Sequence, residues 1–232
     1  MQLPDTLEAA VLQSIEATQA ALADGHNRLQ LEFLLPELKP MVVAQQFLTQ
    51  FPNLGNSVKV FFADAGAAAL ARRDWGEVPY VIRGVNELLE PIQPEDDAFV
   101  LVAPTPVEVN TIEAMCQQAG DRPFILLNPN LQDVAVVGIG YAGRQLRERF
   151  LSTLEPCYYL RPLAGGAILR AYPSPWLVWQ ETEVGQYDCL SEEAERPTPE
   201  RLEQLFNPRT ATRPQPGGWL RQMQQFLRAL SQ

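Results

Sequence analysis

The chain has 232 residues, a formal net charge of −10 and a mean hydropathy of −0.13. Hydrophobic residues make up 46% and charged residues 20%, a composition typical of a folded globular protein rather than a disordered one. Unspecific nucleic-acid binding relies on clustered Lys and Arg, so this charge predicts that nucleic acid is not a partner.

Targeting and metal-binding signals are also missing. The first ten residues lack the basic start and apolar core of a signal peptide, and the longest apolar run is far short of the ~18–20 residues of a membrane span. Cys116, Cys157 and Cys189 are far apart and without C-x-x-C spacing, which argues against a disulfide framework and a zinc site. We therefore expect a cytoplasmic protein with no transmembrane segment and no metal.

Helices and strands alternate along the first half of the chain. Periodicity predicts helices over residues 7–22, 41–51, 64–73 and 105–119, a helical turn over 86–89, and strands over 28–35, 58–63, 78–82 and 98–103. Asp64 is a candidate helix cap, and Thr105 to Glu108 combine a capping box with Pro at the first helical position. Several strands are near-continuous apolar runs, which indicates a mostly parallel sheet covered on both faces.

The pattern changes toward the C-terminus. Residues 124–127 and 134–137 are apolar runs, and strands are predicted over 157–163, 167–172 and 176–182 with only short turns between them. An acidic stretch, 181–203, precedes a Pro-containing segment and a predicted helix over 217–230. We therefore expect a Rossmann-like three-layer α/β sandwich, mostly parallel with antiparallel strands toward the C-terminus. A single domain would span 1–183, and 184–232 would be an acidic, Pro-rich segment with a terminal helix.

Gly138, Gly140 and Gly143 form a G-x-G-x-x-G motif between an apolar run and a helical pattern. In that context the motif can receive the pyrophosphate of a dinucleotide at the helix N-terminus. The acidic residue expected about 20 positions later is missing, although Arg161 could suit the 2′-phosphate of NADP. The alternative is that the glycines only shape a tight corner between strand and helix.

Other catalytic chemistry has little support in the sequence. His26 is the one histidine and lies in a helix-stop turn, so Ser–His or Cys–His catalysis is not expected. A P-loop motif is also missing. No catalytic residue is predicted, and a non-enzymatic protein is the preferred interpretation.

Arginines and tryptophans supply candidate contacts for a protein partner. Arg144 and Arg147 open the helix after the glycine motif, although Arg144 could instead pair with Glu148 at i,i+4. Arg170, Trp176 and Trp179 lie close together in sequence, and Trp and Arg are common in binding hot spots. Burial of the tryptophans under the terminal helix is the alternative.

The chain resembles a family of uncharacterised domains from cyanobacteria and chloroplasts. The resemblance covers roughly residues 3–182, and its main pieces are the Leu-Leu-Asn-Pro of residues 126–129 and the Arg-Ala-Tyr-Pro of residues 170–173. Chloroplast members include the low photosystem II accumulation proteins, which look like assembly factors, and the C-terminal domain of a plastid adenylate kinase. The resemblance implies a role in the biogenesis of thylakoid complexes and names no catalytic residue.

Two functional hypotheses follow. The preferred one is a non-enzymatic accessory protein for a photosynthetic membrane complex, with photosystem II as the candidate. It would bind a photosystem subunit or another assembly factor peripherally, at the cytosolic face of the thylakoid. The alternative is a nucleotide-binding protein, for example an NADP-dependent reductase, that uses the glycine turn.

Overall fold

The computed structural model describes residues 1–87, 92–131 and 141–206. The helices in these ranges are α1 (Leu7–Ala23), α2 (Pro40–Gln50), α3 (Ala65–Trp75), α4 (Val109–Ala119), α5 (Tyr141–Arg149) and α6 (Pro199–Phe206). The strands are β1 (Arg28–Phe33), β2 (Val58–Phe62), β3 (Val81–Gly84), β4 (Ala98–Val102), β5 (Phe124–Leu127), β6 (Glu155–Leu163), β7 (Gly166–Ala171), β8 (Trp176–Glu183) and β9 (Gln186–Glu193). Two 3₁₀ turns span Pro106–Glu108 and Leu151–Thr153.

The described strands form one sheet in the order β3-β2-β4-β5-β1-β6-β7-β8-β9. Neighbouring strands from β3 to β1 in this order pair in parallel, and those from β6 to β9 pair antiparallel. Parallel neighbours need crossover connections, which is why the first half of the chain alternates strands with helices. The predicted α/β fold class is confirmed, including the change to antiparallel strands toward the C-terminus.

The chain divides into two compact units. One contains Ala21–Glu32 and Lys39–Pro156; the other contains Met1–Ala20, Phe33–Leu38 and the described residues from Cys157 onward. The proposed boundary at residue 183 stays a prediction, and beyond it β9 pairs with β8.

The core of the first unit explains the apolar runs in the sequence. Every residue of β2, β4 and β5 is buried, as expected for strands covered on both faces. Phe99 and Phe124 on one face pack in a cluster with Ile112 of α4. Phe62 of β2 instead contacts the Trp75 ring of α3, with centroids 5.6 Å apart. Helices on both faces make this a three-layer α/β sandwich.

Local signals in the sequence place the starts of two helices. The backbone N–H of Ala67 donates to Asp64 Oδ1 at 2.8 Å, which confirms the Asp64 cap of α3. The capping box of Thr105 and Glu108 is also present and begins the 3₁₀ turn before α4.

Strand β3 begins three residues later than predicted. The predicted range, 78–82, includes Pro79, whereas the structure pairs Val81–Gly84 with β2. A Cβ atom on Gly84 would lie 2.8 Å from the backbone N of Ala65, so this close approach of the strand end to α3 requires glycine.

Two basic side chains fix the turns at the amino ends of the parallel strands. Lys59 Nζ lies 3.0 Å from Asp96 Oδ2, and the two side chains are only 5% and 4% exposed. Arg122 donates to the carbonyls of Gln93, Asp96, Gln118 and Ala119 and lies 5.0 Å from the Phe99 ring centroid. Both charged groups are therefore engaged by other groups of the same protein.

In the second unit α1 packs against β6. Tyr158 is fully buried, its hydroxyl lies 3.2 Å from Gln13 Oε1, and its ring lies 5.0 Å from that of Phe33. Burial disfavours the charged phenolate and raises the pKa of Tyr158 well above its usual value. This tyrosine therefore stays neutral at physiological pH.

Some predictions fall outside the described residues: the apolar run 134–137, the end of the helical turn over 86–89, and the terminal helix over 217–230. Conversely, β9 and α6 occupy the acidic stretch, where no element was predicted. Among the described helices, none has the length and apolar character to cross a membrane.

Candidate partner-binding surface

Helix α5 presents the first pair of predicted contact residues. Leu146 and Phe150 are buried in the core cluster and fix the inner side of the helix. Arg144 is exposed and Arg147 is half-buried. Helical spacing therefore places Arg144 on the side of α5 away from the core and Arg147 on its flank.

The third arginine of α5 is engaged by the neighbouring helix. Arg149 donates two hydrogen bonds to the Glu113 carboxylate of α4, Nε to Oε1 at 2.7 Å and an Nη to Oε2 at 2.9 Å. These bonds raise the pKa of Arg149 above its usual value. No ion pair of Arg144 or Arg147, including the alternative Arg144–Glu148 pair, occurs among the described residues. The ion pair thus anchors α5, with the exposed Arg144 on its outer side and the half-buried Arg147 on its flank.

The glycine motif is only partly visible. Gly138 and Gly140 lie outside the described residues, and Gly143 is buried in the first turn of α5. Arg161, which the alternative reading assigns to a 2′-phosphate, is exposed on β6 in the other compact unit. Use of this turn by a nucleotide stays a prediction.

A second group of predicted residues lies on one face of the antiparallel strands. Tyr159 of β6 pairs with Arg170 of β7, and the register of β7 with β8 places Trp176 next along the same row. The Tyr159 and Trp176 rings meet edge to face with centroids 5.1 Å apart. The Arg170 guanidinium lies 5.6 Å from the Trp176 ring centroid, within cation–π range. The structure therefore brings Arg170 and Trp176 together.

Arg196 joins this row from the segment after β9. Its guanidinium carbon lies 4.3 Å from the Tyr159 centroid and 5.9 Å from that of Trp176. One of its nitrogens donates to the Tyr159 hydroxyl at 2.7 Å. Arg196 is exposed, whereas Tyr159 and Trp176 are 0% and 4% exposed. The two buried rings thus form an aromatic platform that Arg170 and Arg196 contact.

Trp179 has a different environment. It is 9% exposed, and its indole Nε1 is buried with no hydrogen-bond partner among the described residues. Both tryptophans are therefore buried, and a direct contact of either ring with a partner stays a prediction.

This arrangement suits the recognition of anionic groups. A guanidinium is planar and always charged, and it can donate paired hydrogen bonds to a carboxylate. Aromatic stacking lowers the entropy lost when such a side chain is immobilised at an interface. Sequence reasoning missed Tyr159 and Arg196, since 37 residues separate them and no local pattern connects them.

The fold and this surface define a three-layer α/β protein that carries arginines on a helix and on an aromatic platform. The chain belongs to the family described as "Domain of unknown function (DUF1995)", which matches residues 4–204. The expected membership of an uncharacterised domain family is thereby confirmed. No solved structure matches the chain.

Proposed function

We propose that this protein is a non-enzymatic accessory factor that binds a protein partner during assembly of a photosynthetic membrane complex, with photosystem II as the first candidate. The sequence resemblance to the low photosystem II accumulation proteins suggests the process and a place at the cytosolic face of the thylakoid. The same resemblance includes the C-terminal domain of a plastid adenylate kinase.

The observation that carries the binding role is the outer side of α5. Arg144 is exposed on the side of α5 away from the core and Arg147 is half-buried on its flank, while Arg149 is engaged by Glu113. Together with the exposed Glu148 of the same helix, the two arginines give this part of α5 one net positive charge in a chain of net charge −10. Charge complementarity of this kind favours an acidic patch on the partner and sets its orientation.

The arginines of the aromatic platform supply a second group of contacts. Arg170 and Arg196 are positioned by Trp176 and Tyr159, so their guanidinium groups lose little freedom on binding. Arg, Trp and Tyr are the residue types most enriched in binding hot spots. Because Trp176 is buried, it supports this surface mainly by holding the arginines.

Charge reversal on α5 tests the proposal. The tagged full chain would be used to capture subunits from solubilised thylakoid membranes, with recovery of photosystem II subunits measured by quantitative mass spectrometry. Arg144→Glu/Arg147→Glu should abolish the enrichment. Lys39→Glu/Arg73→Glu is the matched control, because it reverses two exposed cations with the same change in net charge. Equal recovery by both double variants, or no enrichment with the wild type, would contradict the proposal.

A nucleotide is the competing ligand. Thermal unfolding of the full chain would be followed with NADP, NAD, ATP and AMP. A saturable stabilisation that Gly140→Asp removes would replace the accessory role with nucleotide binding. A ligand that binds the native state raises the unfolding temperature as the ligand concentration increases. This measurement therefore distinguishes nucleotide binding from the accessory role.

A further inference from the structure

The part of the chain that follows α6 differs in charge from the rest. None of the 28 acidic residues falls in residues 207–232, whereas four of the 18 basic residues do. These four are Arg209, Arg213, Arg221 and Arg228. The segment lies outside the described residues. A chain of net charge −10 thus carries a cationic segment beyond α6.

The helix predicted over 217–230 has one apolar side. An α-helix turns by about 100° per residue, so the large apolar side chains of residues 219–230 all fall within an arc of about 120°. They are Trp219, Leu220, Met223, Phe226, Leu227 and Leu230. Arg221 and Arg228 fall together on the other side, and the remaining positions are Gln and Ala. The pattern therefore separates an apolar side from a cationic one.

Contacts of α6 fix where this segment leaves the described fold. Leu202 packs against the cluster that contains Tyr159 and Trp176. A Cβ atom on Gly166 would lie 2.9 Å from the Phe206 ring, so the last residue of α6 lies directly against β7. The segment therefore starts at a fixed point on the antiparallel strands.

A Pro-containing spacer, residues 207–216, separates α6 from the predicted helix. It includes Pro208, Pro214 and Pro216. Pro-rich spacers are extended at about 3.1 Å per residue, so this one can span up to about 30 Å. That reach exceeds the Debye length at physiological ionic strength, about 8 Å. The helix can therefore bind an anionic surface while the acidic fold stays outside the range of repulsion.

From this separation of apolar and basic side chains we propose that residues 217–230 bind the surface of an anionic lipid bilayer as an interfacial helix. Helices of this kind bury Trp, Phe and Leu side chains at the boundary of headgroups and acyl chains, while Lys and Arg stay on the polar side. A bilayer span needs about 20 apolar residues, so this helix would lie along the surface. The binding needs neither the arginines of α5 nor the aromatic platform, and it is independent of the proposed function.

An anionic bilayer matches both sides of the helix at once. Its acyl chains cover the apolar side, and its headgroups attract the arginines. Strand β9 offers carboxylates but little apolar surface in its sequence QYDCLSEE. A second copy would bring two chains of net charge −10 together. Lipid is therefore the occupant that the pattern favours.

Vesicle flotation of the full chain tests the proposal. We expect binding to vesicles of equal parts phosphatidylglycerol and phosphatidylcholine at physiological ionic strength, and at least about tenfold weaker binding to phosphatidylcholine alone. Phe226→Glu should weaken binding at least about tenfold, because a buried aromatic is replaced by a repelled charge. Val184→Glu is the matched control and should bind as wild type does, since Val184 is 88% exposed on a turn of the described fold.

The arginines have a matched control of their own. Arg221→Gln/Arg228→Gln should weaken binding about 25-fold, about fivefold for each arginine near an anionic surface. Lys39→Gln/Arg73→Gln also removes two exposed cations, but from the described fold, and should leave binding unchanged. Equal weakening by the two double variants would overturn the proposal.

Tryptophan fluorescence locates the contact. Trp75, Trp176 and Trp179 are buried, so a blue shift of the emission on vesicles should come from Trp219. Trp219→Phe keeps an aromatic ring and should keep the binding but lose the shift. A shift that persists in this variant would contradict the assignment to residues 217–230.

Other outcomes would also overturn the proposal: no binding to the mixed vesicles, equal binding to both kinds of vesicle, or equal weakening by Phe226→Glu and Val184→Glu. A lower unfolding temperature of lipid-free Phe226→Glu than of Val184→Glu would show that the helix packs on the fold. An oligomer in sedimentation that Phe226→Glu dissociates would assign the helix to a second copy. The charge-reversed α5 variant should still bind these vesicles, so this proposal and the proposed function fail separately.

Discussion

The guanidinium carbon of Arg196 lies 4.3 Å from the centroid of the Tyr159 ring, and one of its nitrogens donates to the hydroxyl of the same side chain at 2.7 Å. Tyr159 is fully buried and also contacts Trp176, so this pair joins an exposed charge to the core of the antiparallel strands. The position of the Arg196 guanidinium is therefore set by its contacts with Tyr159.

Trp176→Ala should remove the platform. We expect a loss of about 3–5 kcal/mol in the free energy of unfolding, because a buried aromatic is truncated and a cavity remains. Arg196→Gln should cost less, about 0.5–1 kcal/mol, as the cation–π contact is partly exposed. Guanidinium denaturation of both variants measures this. Arg161→Gln is the control on the same strand as Tyr159, and a Trp176→Ala variant as stable as this control would contradict the platform.

The buried pair of Lys59 and Asp96 should behave as a coupled unit. Lys59→Met leaves the Asp96 carboxylate without its cation and should cost about 3–5 kcal/mol. Adding Asp96→Asn should recover part of this loss, because a neutral amide is less costly to bury. A double-mutant cycle in urea measures the coupling. Strict additivity of the two single changes would show that the ion pair contributes nothing specific.

Arg122 should tolerate no conservative change. Arg122→Lys keeps the charge but cannot reach all of the carbonyls that the guanidinium binds, of which Gln93 and Ala119 belong to separate turns. We expect a loss of about 1–3 kcal/mol in unfolding free energy, the size of one or two lost charge-assisted hydrogen bonds. Denaturation measures this, with Arg144→Lys on the exposed side of α5 as the control. Equal stability of the two variants would contradict the bridging role.

Asp97 gives the fold a pH-dependent contribution. The backbone N–H groups of Ser57 and Asn56 donate to its carboxylate and hold its pKa below the usual value. A pKa lowered in the folded state stabilises the protein above the unfolded pKa, about 3.9, and this stability is lost as pH falls through the folded pKa. Asp97→Asn should therefore be less stable than wild type at pH 7.

The gap between Asp97→Asn and wild type should narrow as the pH falls below the unfolded value of about 3.9 and close once the pH is below the lowered folded pKa of Asp97. Urea denaturation at several pH values follows it. Asp188→Asn is the control, because it also removes one exposed carboxylate charge but leaves the two hydrogen bonds of Asp97 in place. A gap that stays constant with pH would mean that the carboxylate charge is not what the two amides stabilise.

How far the sequence predicts the fold depends on burial. Strands β2, β4 and β5 are buried on both faces, so their residues are apolar runs that can be recognised directly. Strand β9 is at the end of the sheet and partly exposed along its length. Its sequence is therefore rich in acidic residues and lacks the apolar run by which a buried strand is recognised. Helix α6 did carry a signal: Thr198 precedes Pro199, and Thr198 Oγ1 accepts from the Arg201 N–H at 3.2 Å.

The candidate surface shows the same limit. The outer side of α5 follows from helical spacing, because Leu146 and Phe150 fix which side is inward. The adjacency of Arg170 and Trp176 depends on strand register, and that of Arg196 and Tyr159 on a contact between distant segments. Such contacts are set by packing and leave no local pattern.

Binding of a purified candidate subunit to the full chain tests the central claim most directly. Titration by isothermal calorimetry with a photosystem II subunit that exposes an acidic patch should give saturable binding. Arg144→Glu/Arg147→Glu should weaken it at least about a hundredfold, since two charge contacts become repulsive. Lys39→Glu/Arg73→Glu should bind as wild type does. An unchanged affinity of the α5 double variant would contradict the account.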